Sequence, residues 1–562
     1  MKKSNIYLGV VLLLALVVRL WNVVSFDLYS DSSLYSFRSL GLFDYIGGGQ
    51  TTPIQWFGSI PAWASLSFHD APPLVFWIQH FFFVIFGDTT FAARIPFVLV
   101  GVVATYFLYK WLFKVSNERV AIISSLIFAL MSYSVWAGRV GYLEGITLCF
   151  VVICCYFLNL FLKEPTKHKY LYFMSIFLGL SLLTKYTAIF LFPVIFFSLL
   201  IYRKEVFQKE IKLHFKPWLI SLFLLIMVLA PVIIYNCMVY SFRGHFDAAL
   251  SSMLGIKADD FSTLASRSMS ITWNKLFAPL ITISQVLSLP FFILFIISLL
   301  GAIIKLVRKK LDKANVISLL GILSLTVMFI ITGSEVRFLP IFIPFVAVLV
   351  GNFIYNFIIY LNRYKIIKVI SIIVITCVLS FEIFYSINTN IVRNPKGAPG
   401  IFYSETRFYD RGWNSLENYL KLNIFPKDIN ISNINSLEDL NIGANEIKGR
   451  QVVFCDDRVD WFAYSWYIQK YRFYYKLPIF PVSMLLKDKD AFSSNISQLN
   501  KAGAGGYVFI YAKSDLVMSS GISERASLAI DSFATGMEKG KIGYEDIMNY
   551  QGETAFRVFK IK

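Results

Sequence analysis

Residues 6–35 read IYLGVVLLLALVVRLWNVVSFDLYSDSSLY. The first part, residues 6–26, is a predominantly apolar run that is long enough to cross a bilayer, since a helix of about 20 residues spans the hydrocarbon core. An acidic loop follows, with Asp27 and Asp31 a few residues beyond the predicted helix. Carboxylates at this position can act on a molecule held at the lipid surface. The stretch therefore predicts a membrane protein with a candidate site beside its first helix.

The composition extends the membrane prediction to the whole chain. Of its 562 residues, 57% are hydrophobic and 17% are aromatic, and the mean hydropathy is +0.62. A soluble domain cannot bury so much apolar surface. The chain has a net charge of +18, and its basic residues lie in short loops between apolar runs. This arrangement is typical of positive-inside membrane topology and not of nucleic-acid binding.

Hydropathy and loop charge together predict about eleven transmembrane helices. They lie near residues 5–26, 94–113, 120–138, 145–162, 170–184, 187–202, 217–236, 281–304, 314–332, 338–360 and 366–386. Residues 72–86 are also apolar, but a crossing there would move the next basic loops outside, so we expect a juxtamembrane or re-entrant helix. This places the N-terminus in the cytoplasm and the first loop, residues 27–93, outside, in a plasma (inner) membrane.

The last third of the chain has a different pattern. Strand-like runs occupy residues 451–455, 507–511 and 555–560, with helical and turn-rich stretches between them. We therefore expect an all-α polytopic membrane bundle over residues 1–386, followed by a soluble extracytoplasmic α/β domain over residues 387–562.

Two acidic positions of the first loop are candidates for chemistry. A partly desolvated carboxylate at Asp31 would have the raised basicity that a general base needs, and the alternative interpretation is a helix N-cap. His69 and Asp70 precede Pro72 and Pro73, which fix the chain at the start of a helix. This pair can bind a metal ion or a phosphate, or it can cap the helix.

A few charged residues fall on the predicted outer face. Lys185 lies at a turn between apolar helices, where a lysine is costly unless it meets an anion such as a lipid phosphate; snorkelling to the interface is the alternative. Arg337, at the start of a later span, has the same two interpretations. Glu144 can orient an acceptor, bind a metal ion, or pair with the nearby Arg139.

The loop at residues 237–280 adds two candidates of low specificity. His245 and Arg267 are predicted contacts for a phosphate or a metal ion. The sequence therefore allows a bound divalent metal ion, with Asp70 and His245 as its candidate ligands.

Four motifs in sequence order resemble the GT-C membrane glycosyltransferases, in particular the branch of aminoarabinose transferases and protein mannosyltransferases. They are Asp31-x-x-x-Tyr35, His69-Asp-Ala-Pro-Pro-Leu74 with Trp77, Phe86-Gly87 with Arg94-Ile-Pro96, and Leu178-Gly-Leu-Ser-Leu-Leu-Thr-Lys185. The resemblance covers residues 10–205 well, the later helices loosely and the C-terminal segment hardly at all. Ser32 and Glu144 stand where the family generally has glutamate and aspartate, and Ala71 stands where the aminoarabinose branch has lysine.

The resemblance implies transfer of a hexose or pentose, with inversion, from undecaprenyl or dolichyl phosphate to a hydroxyl of lipid A, a cell-surface glycan or a protein. It implies that Asp31 deprotonates the acceptor and that Lys185, helped by Arg337 or Arg267, stabilises the departing lipid phosphate. Glu144 is the second catalytic candidate. The residues expected to position the acceptor or substrate are Tyr35, His69, Asp70 and Arg139.

Three other functions remain open. A lipid-linked sugar flippase or transporter explains the many spans, although the helices carry few charges besides Arg19 and Glu382 and show no paired repeat. An oligosaccharide polymerase or en bloc ligase would use a similar donor. A purely structural anchor for the C-terminal domain would not need Lys185 at an outer turn.

Overall fold

The structure, a computed structural model, describes residues 3–45, 50–207, 215–258, 260, 273–308, 310–427, 429–486, 489–518 and 524–561. Up to residue 390 its α-helices are α1 (Lys3–Leu20), α2 (Asp31–Gly41), α3 (Pro53–Phe57), α4 (Leu74–Phe86), α5 (Thr90–Val115), α6 (Glu118–Leu130), α7 (Ser132–Ala137), α8 (Leu143–Lys163), α9 (Lys169–Thr184), α10 (Leu191–Ile201), α11 (Arg203–Phe207), α12 (Phe215–Arg243), α13 (Ala248–Leu254), α14 (Trp273–Val286), α15 (Leu289–Val307), α16 (Lys313–Thr332), α17 (Ile343–Tyr360) and α18 (Lys365–Asn390). Short 3-10 helices are Ala62–Leu66, Tyr186–Phe190, Val336–Phe342 and Leu361–Arg363.

The C-terminal part alternates helices with strands. Its α-helices are α19 (Trp413–Asn423), α20 (Ala444–Ile447), α21 (Trp461–Tyr464), α22 (Lys470–Phe473), α23 (Val482–Leu485), α24 (Lys489–Lys501) and α25 (Glu524–Lys539), with 3-10 helices at Glu438–Leu440 and Ser514–Leu516 and a π-helical turn at Ser465–Gln469. The strands are β1 (Gln451–Cys455), β2 (Ile479–Pro481), β3 (Gly506–Ala512), β4 (Tyr544–Met548) and β5 (Thr554–Ile561).

The helical part is that of a multi-pass membrane protein. Among the described residues, seven helices are long and apolar enough to cross a bilayer: Thr90–Val115, Leu143–Lys163, Phe215–Arg243, Leu289–Val307, Lys313–Thr332, Val336–Arg363 and Lys365–Asn390. Shorter apolar helices include α4, which has 13 residues where a span needs about 20.

The first helix is shorter than the predicted 5–26 because its end is capped. α1 ends at Leu20, and Asn22 has a φ of +55° that a helix does not allow. Arg139 donates through Nη1 to the carbonyl oxygens of Val18, Arg19 and Trp21 at 3.1, 2.9 and 2.7 Å. Val18 and Arg19 lie in the last turn of α1, and Trp21 lies just beyond it. Carbonyls at such a helix end have no partner within the helix, so the guanidinium closes the helix at this point.

Two predicted helices are each divided in the structure. The predicted helix 120–138 is divided at Met131, whose backbone is extended, and the predicted helix 281–304 is divided between α14 and α15. Glu382 is responsible at both positions, since its buried carboxylate accepts from the backbone N–H of Ser132 and of Ser288, each at 2.9 Å. One carboxylate thus satisfies the free N–H groups at two helix starts.

The chain folds into two compact units, and each of them is built from separate stretches of sequence. Unit 1 consists of Met1–Val23, Leu66–Ile78 and Phe91–Arg407, and it contains most of the membrane helices. Unit 2 consists of Val24–Ser65, Gln79–Thr90 and Phe408–Lys562, so most of the first loop belongs with the C-terminal segment.

Unit 2 is built on a mixed five-stranded sheet of order β2-β1-β3-β5-β4. β1 pairs in parallel with β2 and β3, and β5 is antiparallel to β3 and β4. Strands occupy all three runs that the sequence indicated, whereas the three-residue β2 and the acidic β4 (YEDIM) were not predicted. Val452, Phe454, Phe509 and Phe559 form the core against α25.

The first loop is fixed to the C-terminal segment within unit 2. The buried Asp27 carboxylate accepts from the backbone N–H of Arg411, Trp413 and Asn414, at 2.6, 3.2 and 2.8 Å, and so caps the start of α19. The Tyr474 hydroxyl donates to a carbonyl of α2 at 2.7 Å. The helix that carries Asp31 is therefore packed on α22 and its neighbours.

Candidate functional site

A buried ion pair lies where α8 begins and α9 ends. Glu144 is in the first turn of α8, and Lys185 follows α9 in extended conformation. The Lys185 ammonium pairs with the Glu144 carboxylate, and the two side chains are 16% and 2% exposed. Such a pair is costly to desolvate, so removal of either partner leaves an uncompensated charge. Two residues predicted for the site, which lie 41 positions apart, thus meet in unit 1.

Phe338 brings a third predicted residue to this pair. The Nζ atom of Lys185 lies 4.3 Å from the centre of the Phe338 ring, and the guanidinium carbon of Arg337 lies 5.0 Å from the same centre. Both distances are those of cation–π contacts. Arg337 also pairs with Glu335 at 2.7 Å and is one-third exposed. Two cations thus lie beside one ring, and each of them is paired with a carboxylate.

Tyr186, the residue after Lys185, links the ion pair to the segment after α12. Its hydroxyl donates to the Asp247 carboxylate at 2.5 Å, and Asn236 donates to the same carboxylate at 2.9 Å. Burial raises the pKa of Asp247; these hydrogen bonds oppose the rise, and the Asp70 carboxylate adds to it. Asp70 therefore lies close enough to act on this cluster.

His69 and Asp70 join the same part of unit 1. The carbonyl oxygen of His69 accepts from the N–H of Ala248, next to Asp247, at 2.6 Å. The His69 side chain is buried, with its Nε2 atom 3.7 Å from an Asp70 oxygen, whereas Asp70 is 30% exposed. The residues before the two prolines thus pack on the segment that holds Asp247.

The described residues do not assemble a metal centre at the predicted ligands. His245 lies 2.8 Å from Asp260, and that carboxylate also pairs with Arg243 at 2.9 Å. In the part of the chain that the structure describes, no group of three or more His, Cys, Asp or Glu side chains is arranged to hold a metal ion. His245 is thus already paired, and neither it nor Asp70 belongs to such a group among the described residues.

Asp31 and Tyr35 belong to unit 2. Asp31 is the first residue of α2 and is 8% exposed, and the N-cap is the preceding Ser30, with a φ of +51°. A non-glycine residue at positive φ is strained, and such strain is common beside functional residues. The carboxylate stands in the first turn, where the helix dipole favours a negative charge. Tyr35 follows one turn later on the same helix.

Two other predicted site residues are placed differently. Arg139, predicted to position the acceptor, has backbone carbonyls of α1 as partners and so acts on the fold, while Glu144, its suggested partner, pairs with Lys185. Arg267 lies outside the described residues.

Sequence reasoning missed three members of the cluster in unit 1. Phe338 and Tyr186 each follow a predicted cation directly, so an aromatic residue adjacent to a candidate phosphate ligand is the signal that would have found them. Asp247 is the N-cap of α13, and the pattern Asp-Ala-Ala-Leu was available in the sequence.

Comparison with known protein families gives a match that includes part of this cluster. A model of the dolichyl-phosphate-mannose-protein mannosyltransferase family matches residues 70–235. YycA of Bacillus subtilis (strain 168), provisionally designated a mannosyltransferase, is 34% identical over 76 residues, which are 14% of this chain and 11% of that protein. The chain thus matches about a tenth of that relative's length.

Comparison with solved structures shows a similar fold in an archaeal oligosaccharyltransferase. The apo oligosaccharyltransferase of Archaeoglobus fulgidus matches with a TM-score of 0.52 and 12% identity, over 91% of this chain and 70% of that one. Its complex with an inhibitory peptide and a dolichol-phosphate matches with a TM-score of 0.50 and 12% identity, over 99% and 74%. ArnT of Cupriavidus metallidurans bound to undecaprenyl phosphate has a TM-score of 0.48 and 11% identity, over 94% and 96%.

Proposed function

We propose that this chain, a membrane protein of the GT-C mannosyltransferase type, transfers a sugar from a polyprenyl-phosphate donor to an acceptor hydroxyl on the extracytoplasmic face. The observation that carries the proposal is the buried pair of Lys185 and Glu144 beside Arg337. Lys185 and Arg337 offer cations to an anion, and Lys185 and Glu144 lie in the segment, residues 70–235, that matches the dolichyl-phosphate-mannose-protein mannosyltransferase family. The bound dolichol-phosphate of the archaeal relative supports the donor class.

Lys185 and Arg337 are the proposed phosphate ligands. A sugar phosphodiester carries one negative charge, and the polyprenyl phosphate that leaves carries about one more as the bond to the sugar breaks. Cations in place beforehand bind this developing charge more strongly than the starting charge, and that difference lowers the barrier. Glu144 orients the Lys185 side chain in the absence of donor, and the Lys185 ammonium moves to the phosphate when the donor binds.

Asp31 is the proposed general base. It takes the proton of the acceptor hydroxyl while that oxygen bonds to the anomeric carbon. The bond from the same carbon to the phosphate oxygen breaks, and the polyprenyl phosphate leaves with the electron pair. Attack on the face opposite the phosphate inverts the anomeric centre. Tyr35, His69 and Asp70 are proposed to position the acceptor.

Substitution of Asp31 tests the function. We expect Asp31→Asn to lower sugar transfer by roughly 10²–10⁴-fold, because the amide cannot accept the proton, while donor binding is retained. The full-length protein is measured in proteoliposomes with labelled undecaprenyl- and dolichyl-phosphate sugars and an envelope extract as acceptor source. Glu438→Gln, an exposed carboxylate of unit 2, is the control and should transfer normally.

Other outcomes of this assay decide between the functions. Normal transfer by Asp31→Asn would remove Asp31 as the base. Lipid scrambling without sugar transfer in the wild-type protein would favour a flippase. Transfer of a preassembled oligosaccharide alone would favour a ligase. Loss of activity in EDTA, restored by Mg²⁺ or Mn²⁺, would contradict a metal-free mechanism.

A further inference from the structure

A cavity with polar and aromatic walls lies in the C-terminal part of unit 2. It measures about 190 Å³, and Asp457, Trp461, Tyr464, Gln469 and Arg472 are among its lining residues. Asp457 comes two residues after the last residue of β1, and the cavity also reaches β2. In α/β folds, ligands bind outside the carboxyl ends of the parallel strands. The cavity thus occupies the edge of the sheet where such sites are found.

The neighbouring position at this edge is already filled. Arg458 donates to Asp456 at 2.7 Å and to Asp531 at 2.8 Å, and this network lies at the carboxyl ends of β1 and β3. The open position is therefore the one between β1 and β2, where Asp457 lies.

The helical crossover from β1 to β2 is irregular beside the cavity. Between α21 and α22, the π-helical turn Ser465–Gln469 widens the helix by one residue per turn, and such turns occur frequently at functional sites. Lining residues stand on both sides of the turn, at Trp461 and Tyr464 before it and at Arg472 after it. The Gln469 carbonyl accepts from Ser465 at 3.1 Å, which leaves its amide NH₂ to donate.

The hydrogen-bonding groups of the cavity are held by the fold. Ser483 donates to the Asp457 carboxylate through its backbone N–H at 3.1 Å and through its hydroxyl. Burial raises the pKa of Asp457, and these bonds oppose the rise. The buried Nε–H of Arg472 has no hydrogen-bond partner among the described residues. The lining of the cavity thus includes an acceptor, the Asp457 carboxylate, and side chains that can donate, among them Gln469 and Arg472.

The charges and the rings together select a class of ligand. A phosphate would be repelled by Asp457, and an alkyl chain would leave the buried Nε–H of Arg472 without a partner, which is costly. The opposite charges of these two residues balance, so an uncharged ligand fits best. Hydroxyls, which both donate and accept, suit the polar groups, and the faces of Trp461 and Tyr464 suit an apolar C–H surface.

We propose that this cavity binds a neutral sugar ring, as a glycan-binding subsite of the C-terminal segment. The identification of that sugar with part of the acceptor or product glycan rests on the proposed transferase function. Binding of the sugar itself does not, because it needs neither Asp31 nor the lipid donor.

Saturation-transfer NMR on the full-length protein in nanodiscs tests the subsite. The probes are free D-mannose, D-glucose and N-acetylglucosamine, with sodium D-galacturonate as the charged comparison. We expect at least one neutral sugar to bind the wild type, and Gln469→Ala and Trp461→Ala each to weaken that binding by about 10-fold or more, the loss expected of one buried hydrogen bond or aromatic contact.

Matched variants keep the result interpretable. Met484→Ala, which alters a separate apolar cavity of the same sheet, should bind as the wild type does, and Trp461→Phe should retain more binding than Trp461→Ala. Asp31→Asn should also bind normally, so loss of transfer and loss of the subsite are separable. The proposal is overturned if no neutral sugar binds, if galacturonate binds more tightly, or if folded Gln469→Ala and Trp461→Ala bind unchanged.

Discussion

Lys185 and Glu144 hold opposite charges where little water reaches them. Lys185 therefore has two roles, as a proposed phosphate ligand and as the counter-charge of Glu144, and a single substitution removes both. Removal of Lys185 takes away a proposed phosphate ligand, and it also leaves Glu144 as a buried, unpaired carboxylate. Removal of both charges eliminates the unpaired carboxylate but does not restore the phosphate ligand.

We predict that Lys185→Met destabilises the protein by roughly 3–5 kcal/mol, because it leaves the buried carboxylate uncompensated. The double variant Lys185→Met/Glu144→Gln should regain most of this stability and still fail to transfer sugar. Thermal unfolding in detergent, followed by tryptophan fluorescence, is compared with the transfer assay. Lys167→Met, in the exposed pair with Glu164, is the control and should melt as the wild type does. Normal transfer by the double variant would remove Lys185 from the mechanism.

At the scale of elements, α2 is the one that presents the proposed base. Its last residue, Gly41, lies against the ring of Tyr474, so closely that a β-carbon there would overlap the ring. Phe37 packs on the same tyrosine, with ring centres 5.2 Å apart. The end of α2 thus has no room to move towards the rest of unit 2.

A larger residue at Gly41 should therefore displace α2. We predict that Gly41→Val lowers transfer on the order of 100-fold, since an error of about 1 Å in the position of a reacting group costs that much. Donor binding at Lys185, in the other unit, should be unchanged. Gly536→Ala, at a helical glycine with open space around it, is the control. Full activity of a folded Gly41→Val protein would show that the position of α2 does not limit the reaction.

At the scale of the molecule, unit 2 depends on an ion network that joins distant parts of the sequence. Lys470, which is fully buried, pairs with Glu417 at 2.6 Å and with Asp88 at 3.2 Å, and its Nζ lies 3.7 Å from the ring centre of Trp466. Asp88 comes from the first loop and the other residues from the C-terminal segment. Burial alone would raise the pKa of Asp88, but Lys470 and Lys421 outweigh it and lower the pKa.

This network predicts how unit 2 responds to acid. A carboxyl group whose pKa is lowered by folding contributes stability above its unfolded pKa of about 3.9 and loses it as the pH falls through the folded value. The melting temperature of the wild type should therefore begin to fall below about pH 5 and continue to fall as the pH drops through the folded pKa of Asp88. At pH 7, Lys470→Met should lose roughly 3–5 kcal/mol of its free energy of unfolding and should melt at a lower temperature than the wild type. Its melting temperature should also depend less on pH.

Lys560→Gln provides the comparison, because its pair with Glu545 is exposed. It should leave both the melting temperature at pH 7 and the acid response close to those of the wild type. An acid response in Lys470→Met as steep as in the wild type would mean that other carboxylates control the stability of unit 2.

The presence of membrane helices was predictable from sequence, because hydropathy reports a local property, the match of an apolar run to the bilayer. About eleven spans were predicted, and among the described residues seven helices are long and apolar enough to cross, so the full number stays a prediction. The divisions of the helices were not predictable. α6 and α7 separate at Met131 because Glu382, some 250 residues later, accepts a hydrogen bond at that break. A local pattern contains no information about such a partner.

The site was predictable to a similar extent. Lys185, Glu144 and Arg337 were selected as charges in apolar surroundings, and the structure brings them together. Arg139 was selected by the same reasoning, and the structure shows it closing a helix, because a buried guanidinium can be satisfied by backbone carbonyls as well as by a ligand. Its role towards an acceptor stays a prediction. Asp27 and Asp31 looked alike in sequence, yet only the contact of Asp27 with α19 reveals it as a cap.

The grouping of the first loop with the C-terminal segment has a consequence for how such proteins diversify. Asp27 supplies the cap of α19, and Asp88 supplies a counter-ion for Lys470. A C-terminal segment grafted from a relative would lose the loop residues on which it packs and would meet Asp27 and Asp88 of this chain instead. We therefore expect chimeras to fold best when both loop segments, Val24–Ser65 and Gln79–Thr90, are exchanged together with residues 408–562. Recombination that replaces the C-terminal segment would then have to change three separate stretches of the gene at once.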